Sequence, residues 1–222
     1  MHTDAVQHES DAGIPRPLRR QGEAHVPSPV FATLKRVCDI VLASVGLILV
    51  VPLLLVCAGW ITLVDPGPVF YRQWRVGCDG WLFRIWKLRT MRLDAERGGA
   101  RYACTADPRV LPGCAWMRRS HTDELPQLWN VLLGEMSLVG PRPERPEMIE
   151  ALRPALPGID HRLAARPGIT GLAQVVNGYT NDQAGARRKL ACDLLYLRRR
   201  SLWGDFKLLL RTATKVWDDA AM

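Results

Sequence analysis

Paired cysteines and regularly spaced histidines are absent from this sequence. None of its six cysteines forms a Cys-x-x-Cys pair, and two of them, Cys38 and Cys57, lie beside or within a hydrophobic segment. The five histidines do not form a set with the spacing of metal ligands. A zinc site is therefore not expected. The cysteines are predicted to be free thiols in a reducing compartment rather than a disulfide framework.

The length and the charge limit the class of protein. A chain of 222 residues can form one globular domain with an appended segment, and two full domains are not expected. The formal net charge of +8 and the pI near 9.5 predict anionic partners, which include nucleic acid, phospholipid and phosphorylated substrates. The aromatic residues form no recognisable base-stacking motif, so no nucleic acid partner is expected.

One long apolar segment indicates a membrane. Residues 40–64 contain no charged side chain, and about 20 apolar residues are enough to cover the hydrocarbon core of a bilayer. The segment begins too far from the N-terminus to be an ordinary cleaved signal peptide, so it is expected to be retained.

Pro52, near the middle of this segment, predicts a break, because proline removes one backbone hydrogen bond. Lys35 and Arg36 precede the segment, and Arg72 and Arg75 follow it, so the positive-inside rule places both ends in the cytoplasm. The favoured prediction for residues 34–65 is therefore a re-entrant membrane helix-break-helix. A straight spanning helix and a buried soluble helix are the alternatives.

The remaining chain is predicted to consist of a tail and a cytosolic domain. Residues 1–33 hold several prolines and few large apolar groups, which favours disorder, and no function is assigned to them. Residues 66–222 are predicted to form a compact α+β domain that is mostly helical. Its first element is a β-hairpin, in which residues 69–76 and 81–87 flank a turn at residues 77–80.

Three further segments are less specific. Residues 93–106 are polar and suit either a mobile loop over a site or a surface connection. Residues 167–171 predict a glycine-proline turn. Residues 187–217 predict two helices separated near Ser201, a suitable N-cap. The basic and tryptophan side chains of these helices fit either an interfacial position on an anionic membrane or an ordinary amphipathic packing pair.

Residues 122–143 concentrate carboxylates, an arginine and glycine-proline turns. Asp123 or Glu124 can cap a helix that opens at Pro126, and judged locally this structural role is the stronger interpretation. The alternative is catalytic, because the helix dipole and the nearby Arg118 and Arg119 favour an ionised aspartate that can act as a nucleophile. One acid would then attack phosphorus while the other holds a hard divalent cation. Glycosidase chemistry fits adjacent acids less well.

Six motifs, in this order, resemble those of the bacterial sugar transferases, the monotopic polyprenyl-phosphate phosphoglycosyl transferases. The resemblance runs from Lys35 to Thr212 and leaves only the N-terminal tail uncovered. The motifs are Lys35-Arg36-x-x-Asp39, Phe70-Tyr71-Arg72-Gln73-x-Arg75-x-Gly77, Lys87-Leu88-Arg89-Thr90-Met91, Asp123-Glu124-Leu125-Pro126-Gln127-Leu128, Met136-Ser137-Leu138-Val139-Gly140-Pro141-Arg142-Pro143 and Pro167-Gly168-Ile169-Thr170-Gly171.

The resemblance implies that a sugar 1-phosphate passes from a UDP-sugar to a membrane polyprenyl phosphate such as undecaprenyl phosphate, with release of UMP. This reaction would initiate exopolysaccharide or other surface glycan assembly at the cytoplasmic face of the bacterial inner membrane, with downstream glycosyltransferases as further partners. Asp123 would be the nucleophile that forms a phosphosugar-aspartyl intermediate, and Glu124 would bind Mg²⁺. The implied substrate-binding residues are Arg118, Arg142, Lys87 and Arg89, with Asp193 and Asp205 as supporting acids.

Some positions depart from the family pattern. His121-Thr122 stands where Ser-Leu is common before the acidic pair, and Tyr179 stands where an arginine is common. Either Arg187 or Arg188 then replaces the missing phosphate ligand, or the nucleotide-sugar preference differs. The alternative function is a nonenzymatic membrane-tethered scaffold of polysaccharide export. A scaffold explains the anchor and the basic surface but not the ordered acidic and arginine motifs.

Overall fold

The first helix of the fold is long and apolar. The computed structural model describes residues 27–95, 107–177 and 183–214. Helix α1 runs from Pro29 to Val64, and its N-cap is Ser28, whose hydroxyl accepts a hydrogen bond from the Phe31 amide at 3.3 Å. A serine cap followed by proline favours a helix start, which explains why α1 begins before the predicted boundary at residue 34. By length and composition α1 can cross a membrane.

Helix α1 is continuous through Pro52, whereas the sequence predicts two helices separated by a break at this residue. A proline removes one hydrogen bond of the helical ladder, but the turns on both sides retain theirs. Packing also holds both sides, because Val50 and Leu54 each contact a buried cluster of the domain. The re-entrant course of this segment stays a prediction.

Polar contacts attach the beginning of α1 to the domain. Lys35 Nζ lies 2.6 Å from Asp205 Oδ2. The Arg36 guanidinium donates to the carbonyl oxygens of Val131 and Leu132 at 2.6 and 2.9 Å. These carbonyls belong to the last turn of a helix, where carbonyl groups lack the regular intrahelical partner four residues on; the Val131 carbonyl oxygen also accepts from the Gly134 amide at 3.0 Å. The contacts therefore satisfy both the basic side chains of α1 and the end of a neighbouring helix.

The opposite end of α1 packs against the same domain. Cys57 and Ile61 are fully buried in a cluster with Leu88, and Asp65, directly after the helix, is bound by the Arg89 guanidinium. Between the two ends, one face of α1 remains apolar and exposed. This face includes Ile48 (73% exposed), Leu49 (72%), Leu55 (67%) and Val56 (71%).

The predicted hairpin is confirmed. Strand β1 (Phe70–Val76) pairs antiparallel with β2 (Leu82–Leu88). The turn between them contains a short 3-10 segment, Cys78–Gly80, in which Asp79 adopts a left-handed conformation with φ 53°. Because side chains alternate between the faces of a strand, Lys87 near the end of β2 faces inward with Ile85 and Phe83.

A second pair of strands was not predicted. Strand β3 (Ser137–Val139) pairs in parallel with β4 (Gly168–Thr170), where the sequence predicts only a turn. The backbones approach closely, since a Cβ atom on Gly140 would lie 2.4 Å from the Arg166 carbonyl oxygen. Glycine permits that approach because it has no side chain.

Six further α-helices and two further 3-10 helices, Thr122–Glu124 and Ile159–Ala164, complete the described fold, which is α+β and mostly helical. The α-helices are α2 (Ala115–Arg119), α3 (Gln127–Leu133), α4 (Pro146–Leu152), α5 (Leu172–Asn177), α6 (Gln183–Arg199) and α7 (Leu202–Ala213). The predicted break near Ser201 is confirmed, because the Ser201 hydroxyl caps α7 and accepts from the Gly204 amide at 3.1 Å. The interfacial position of α6 and α7 stays a prediction.

Several predictions fall partly or wholly outside the described residues. These concern most of the N-terminal tail, the greater part of the 93–106 loop, Tyr179, and the end of the chain beyond residue 214. The free state of the cysteines is confirmed for the five that the structure describes, Cys38, Cys57, Cys78, Cys114 and Cys192.

Candidate active site

The acidic pair lies in a short 3-10 turn, Thr122–Glu124, between α2 and α3. The preceding residue, His121, has a left-handed backbone with φ 54°, which is uncommon outside glycine. Asp123 and Glu124 are buried, with 6% and 7% of their surfaces exposed. The N-cap position of α3 is Pro126, and no side chain caps that helix. The capping role that the local sequence favoured is therefore not the role of these carboxylates.

Two cations from different elements bind Glu124. Lys87 Nζ, near the end of β2, lies 2.7 Å from Glu124 Oε1. Arg142, in the turn after β3, donates from Nη2 to Oε1 at 2.5 Å and from Nη1 to Oε2 at 3.1 Å. Burial raises the pKa of Glu124, but the charges and hydrogen bonds of Arg142 and Lys87 outweigh it and hold the pKa well below its usual value. Glu124 is therefore ionised.

Asp123 has the opposite electrostatic environment. Burial raises its pKa, and the neighbouring Glu124 carboxylate raises it further, while Lys87, Arg118 and His121 lower it without cancelling the effect of burial. Arg118 favours the ionised form of Asp123, as expected, but burial outweighs it, so the expected lowering of the pKa is corrected to a rise. The reason is desolvation, which disfavours the charged form of a buried acid.

The other predicted site residues lie at different distances from the acidic pair. Arg118, on α2, donates from Nη1 to the Thr90 hydroxyl at 3.3 Å, and its charge acts on Asp123. Arg89 is buried and is bound to Asp65 and to the Pro68 carbonyl oxygen, so its described contacts hold the chain after α1 rather than Glu124. The structure thus brings Lys87, Arg118 and Arg142 to the acidic pair and directs Arg89 elsewhere.

The two predicted supporting acids take part in ion pairs outside the immediate site. Asp193 of α6 lies 2.8 Å from Arg162 Nη2. Asp205 of α7 accepts from Lys35 Nζ at 2.6 Å and from the Tyr196 hydroxyl at 3.0 Å. Asp205 therefore joins α7 to α1. Asp193 pairs with Arg162, which contacts the backbone of the turn that holds Arg142.

Sequence reasoning did not identify Arg162 as part of this region. The Arg162 side chain is only 5% exposed, and its Nη2 donates to the Arg142 carbonyl oxygen at 2.9 Å. Arg75, which the motifs include but to which no role was assigned, donates to the Pro143 carbonyl oxygen at 3.3 Å. No local sequence pattern indicates either contact, because both depend on buried charged partners that only the fold brings together.

The site can supply a carboxylate to a divalent cation. Within the described part of the chain, no group of three His, Cys, Asp or Glu side chains is placed to hold a metal ion. Magnesium, however, is commonly bound by one or two carboxylates together with substrate phosphates and water. Glu124 is ionised, and an ionised carboxylate offers about four acceptor positions, of which Lys87 and Arg142 use three. The residues present therefore fit a magnesium ion that a phosphorylated substrate completes.

Comparison with known proteins gives a consistent assignment. A family model described as bacterial sugar transferase matches residues 30–219. The UDP-N-acetylgalactosamine-undecaprenyl-phosphate N-acetylgalactosaminephosphotransferase of Aeromonas hydrophila is 42% identical over 84% of this chain and 44% of its own length. The UDP-glucose:undecaprenyl-phosphate glucose-1-phosphate transferase of Caulobacter vibrioides is 43% identical over 80% of this chain and 67% of its own length.

These relatives define the class, which is that of sugar-phosphate transferases. Within that class, the chain belongs to the bacterial sugar transferase family, and the resemblance read from the motifs is confirmed. The chain spans less than half the length of the Aeromonas relative and of the Escherichia coli UDP-glucose:undecaprenyl-phosphate glucose-1-phosphate transferase, which is 40% identical over 85% of this chain.

Proposed function

We propose that this protein transfers a sugar 1-phosphate from a UDP-sugar to undecaprenyl phosphate or a related polyprenyl phosphate and releases UMP. The observation that carries the proposal is the buried Asp123 beside Glu124, whose carboxylate is bound by Lys87 and Arg142. The names of the relatives supply the donor and acceptor classes. One relative is named as an exopolysaccharide production protein, which supports a role at the start of surface glycan assembly.

Asp123 is the nucleophile in this proposal. One of its carboxylate oxygens attacks the phosphorus that carries the sugar, and the bond between that phosphorus and the bridging oxygen of the diphosphate breaks, so UMP leaves with the bond electrons. A phosphate oxygen of the polyprenyl phosphate then attacks the same phosphorus. The aspartyl-phosphorus bond breaks, and the Asp123 carboxylate is regenerated.

The opposite pKa shifts support this division of roles. The raised pKa of Asp123 means that its surroundings stabilise the anion poorly, so the ionised oxygen keeps the electron density that a nucleophile needs. Glu124 is already bound by two cations and its pKa is lowered, which suits a ligand rather than a nucleophile. Pairs of acids with diverging pKa values commonly take different roles in one site.

Glu124 would hold Mg²⁺ together with oxygens of the donor diphosphate, and the ion would neutralise charge on the phosphate oxygens. Arg142 and Arg118 would contact the phosphates, because a guanidinium matches two phosphate oxygens at once. Lys87 holds Glu124 in place and adds a positive charge on the same side of the site.

The contacts of α1 support a re-entrant membrane segment with the domain at the cytoplasmic face. Its beginning is joined to the domain by Lys35 and Asp205, and the residue after its end is joined by Asp65 and Arg89. A straight spanning helix would place these two contacts on opposite sides of the bilayer. The exposed apolar face between them would lie in lipid.

The end of the fold supports a second contact with the membrane. Helix α7 exposes Trp203 (63%), Phe206 (47%) and Leu210 (54%), and Lys207 Nζ lies 5.2 Å from the Trp203 ring centroid. Aromatic side chains beside lysine suit the boundary between headgroups and acyl chains. We propose that α7 lies at this interface.

UMP release by the detergent-solubilised protein tests the function. We expect turnover with polyprenyl phosphate, Mg²⁺ and at least one member of a panel that contains UDP-glucose and UDP-N-acetylgalactosamine. Asp123→Asn is expected to lower turnover by about 10³-fold or more and to abolish covalent labelling by a donor that is radiolabelled at the phosphorus next to the sugar. Glu150→Gln, an exposed change on α4, is the matched control. Wild-type turnover by Asp123→Asn would contradict the covalent mechanism.

A further inference from the structure

The Pro-Arg-Pro turn is held through its backbone carbonyl oxygens. The four consecutive carbonyl oxygens of residues 141–144 each accept a hydrogen bond, and the four donors come from β4, from Arg162 and from two neighbouring residues of β1. Two of the four residues are prolines, which have no N–H group, so these carbonyls are the main means of fixing the turn. The donors, in the order of the acceptors, are Gly168 N at 2.9 Å, Arg162 Nη2 at 2.9 Å, Arg75 Nη1 at 3.3 Å and Val76 N at 2.9 Å.

Arg162 is the donor that acts on Arg142 itself. The same Nη2 atom lies 2.8 Å from Asp193 Oδ2 of α6, and Nη1 lies 3.5 Å from Glu144 Oε1. The Arg162 and Asp193 side chains are 5% and 2% exposed. Arg162 therefore connects α6 to the backbone of residue 142 through a desolvated ion pair.

A buried ion pair of this kind is a costly way to stabilise a fold. Removing two charges from water is unfavourable, and apolar residues of similar volume are often at least as stabilising. What an arginine adds is direction, because its N–H groups are held in a planar fork. Nη2 donates to the Arg142 carbonyl oxygen at 2.9 Å while the guanidinium charge pairs with Asp193. The directed hydrogen bond is the one to the Arg142 carbonyl oxygen, so it acts on the backbone of the Pro-Arg-Pro turn.

The position of the Arg142 guanidinium depends on the position of the Arg142 backbone. Its guanidinium binds both oxygens of Glu124, although the side chain is itself 25% exposed and has several rotatable bonds. A shift of about 1 Å in a catalytic constellation can cost about 10²-fold in rate. Fixing the carbonyl group of residue 142 fixes the backbone from which this long side chain extends, and so restricts the positions that its guanidinium can take.

We propose that Arg162 is a positioning residue of the reaction, which holds the backbone of Arg142 to Asp193 of α6 and thereby directs the Arg142 guanidinium to Glu124 and to the donor diphosphate. The inference rests on the proposed function for its kinetic consequence. Its structural part, the fixed Pro-Arg-Pro turn, is independent of which reaction the site performs.

A double-mutant cycle tests the proposal. We expect Arg162→Gln to lower kcat/KM for the UDP-sugar by about 10- to 100-fold. In a protein that already carries Arg142→Gln, the same change should cost less than about 3-fold, because the residue through which Arg162 acts is gone. Arg162→Lys should retain more activity than Arg162→Gln because it keeps the buried charge. It should be less active than wild type because lysine lacks the planar fork of donors. If Arg162→Gln lowers kcat/KM by the same factor in the wild-type and in the Arg142→Gln background, the proposal is overturned.

Hydrogen exchange gives a second readout that does not depend on turnover. In Arg162→Gln and Arg162→Lys, amides of the turn at residues 140–144 should exchange faster, while thermal unfolding shows that the variants are folded. Arg153→Gln is the matched control, because it removes an ion pair with Asp160 at 3.0 Å that does not touch the turn. It should change neither the exchange of the turn nor kcat/KM.

The outcomes separate the two hypotheses. If the wild-type protein releases no UMP from any donor, the proposed function fails, and exchange in the turn still decides the role of Arg162. If the wild-type protein is active and the cycle is additive, or if exchange in the turn is unchanged, the positioning role fails while the function stands.

Discussion

The Arg142 guanidinium binds both carboxylate oxygens of Glu124, with Nη2 2.5 Å from Oε1 and Nη1 3.1 Å from Oε2. Lys87 binds the same Oε1 atom at 2.7 Å. The pKa of Glu124 is therefore held well below its usual value despite burial, whereas burial raises the pKa of the adjacent Asp123. The free energy of unfolding must respond to these two neighbours in opposite directions as the pH changes.

Glu124→Gln is expected to destabilise the protein at neutral pH by about 2–3 kcal/mol, because Lys87 and Arg142 lose a charged acceptor. The folded-state pKa is lowered, so the stabilising contribution is complete above the unfolded-state value of about 4.3 and is lost as the pH falls through the folded-state value. Denaturant unfolding should show a gap between wild type and variant that narrows in acid. Glu150→Gln should show no such gap, and a gap that widens in acid would contradict the expectation.

Asp123→Asn is expected to raise the free energy of unfolding at neutral pH while it removes activity. The folded-state pKa of Asp123 is raised, so the folded protein carries an unfavourable charge above that pKa, and this cost disappears as the pH falls below the unfolded-state value of about 3.9. Thermal unfolding should therefore show a higher midpoint for the variant near pH 7 and a smaller difference in acid. A lower midpoint near pH 7 would show that Lys87 and Arg118 outweigh burial.

Gly140→Ala is expected to destabilise the fold by more than about 2 kcal/mol. A Cβ atom there would lie 2.4 Å from the Arg166 carbonyl oxygen and 2.9 Å from the Gly168 amide nitrogen, and both are backbone atoms that cannot turn aside. Gly59→Ala is the matched control, because a Cβ atom at that helical position has no atom within 4 Å. Denaturant unfolding in detergent should show a large loss for the first variant and no loss for the second.

Local patterns in the sequence predicted those parts of the fold that local physics determines. The hairpin around residues 77–80 follows from turn residues between two strand-forming segments, and the break at Ser201 follows from the preference of serine for an N-cap. The acidic pair and Arg142 were identified as site residues because their spacing matches a family. Those predictions needed no knowledge of distant contacts.

The features that were missed depend on contacts between distant parts of the chain. Strands β3 and β4 have three residues each and become strands only by pairing with one another. Arg162 has no local pattern, and its role appears only when α6 and the Pro-Arg-Pro turn meet. The raised pKa of Asp123 likewise depends on burial, which no sequence window around residues 118–124 reveals.

The course of α1 through the membrane can be tested with single cysteines at its two ends. We expect Val30→Cys and Pro66→Cys to be inaccessible to a membrane-impermeant maleimide in intact spheroplasts and to react after the membrane is opened. The background is a variant in which all six native cysteines are replaced. Both positions suit the test, since Val30 is 69% exposed and Pro66 is also exposed. Leu49→Cys, on the exposed apolar face, is the control for a position in lipid and should react only in detergent.

The expected result follows from the two polar contacts that flank the apolar segment. Lys35 binds Asp205 and Asp65 binds Arg89, and both partners belong to the same domain. A domain with charged and buried polar contacts at both ends cannot lie on two sides of a bilayer, because moving those groups through the hydrocarbon core is too costly. Labelling of one end from outside intact spheroplasts would therefore show that at least one of these contacts is broken in the membrane, and it would replace the re-entrant course with a spanning one.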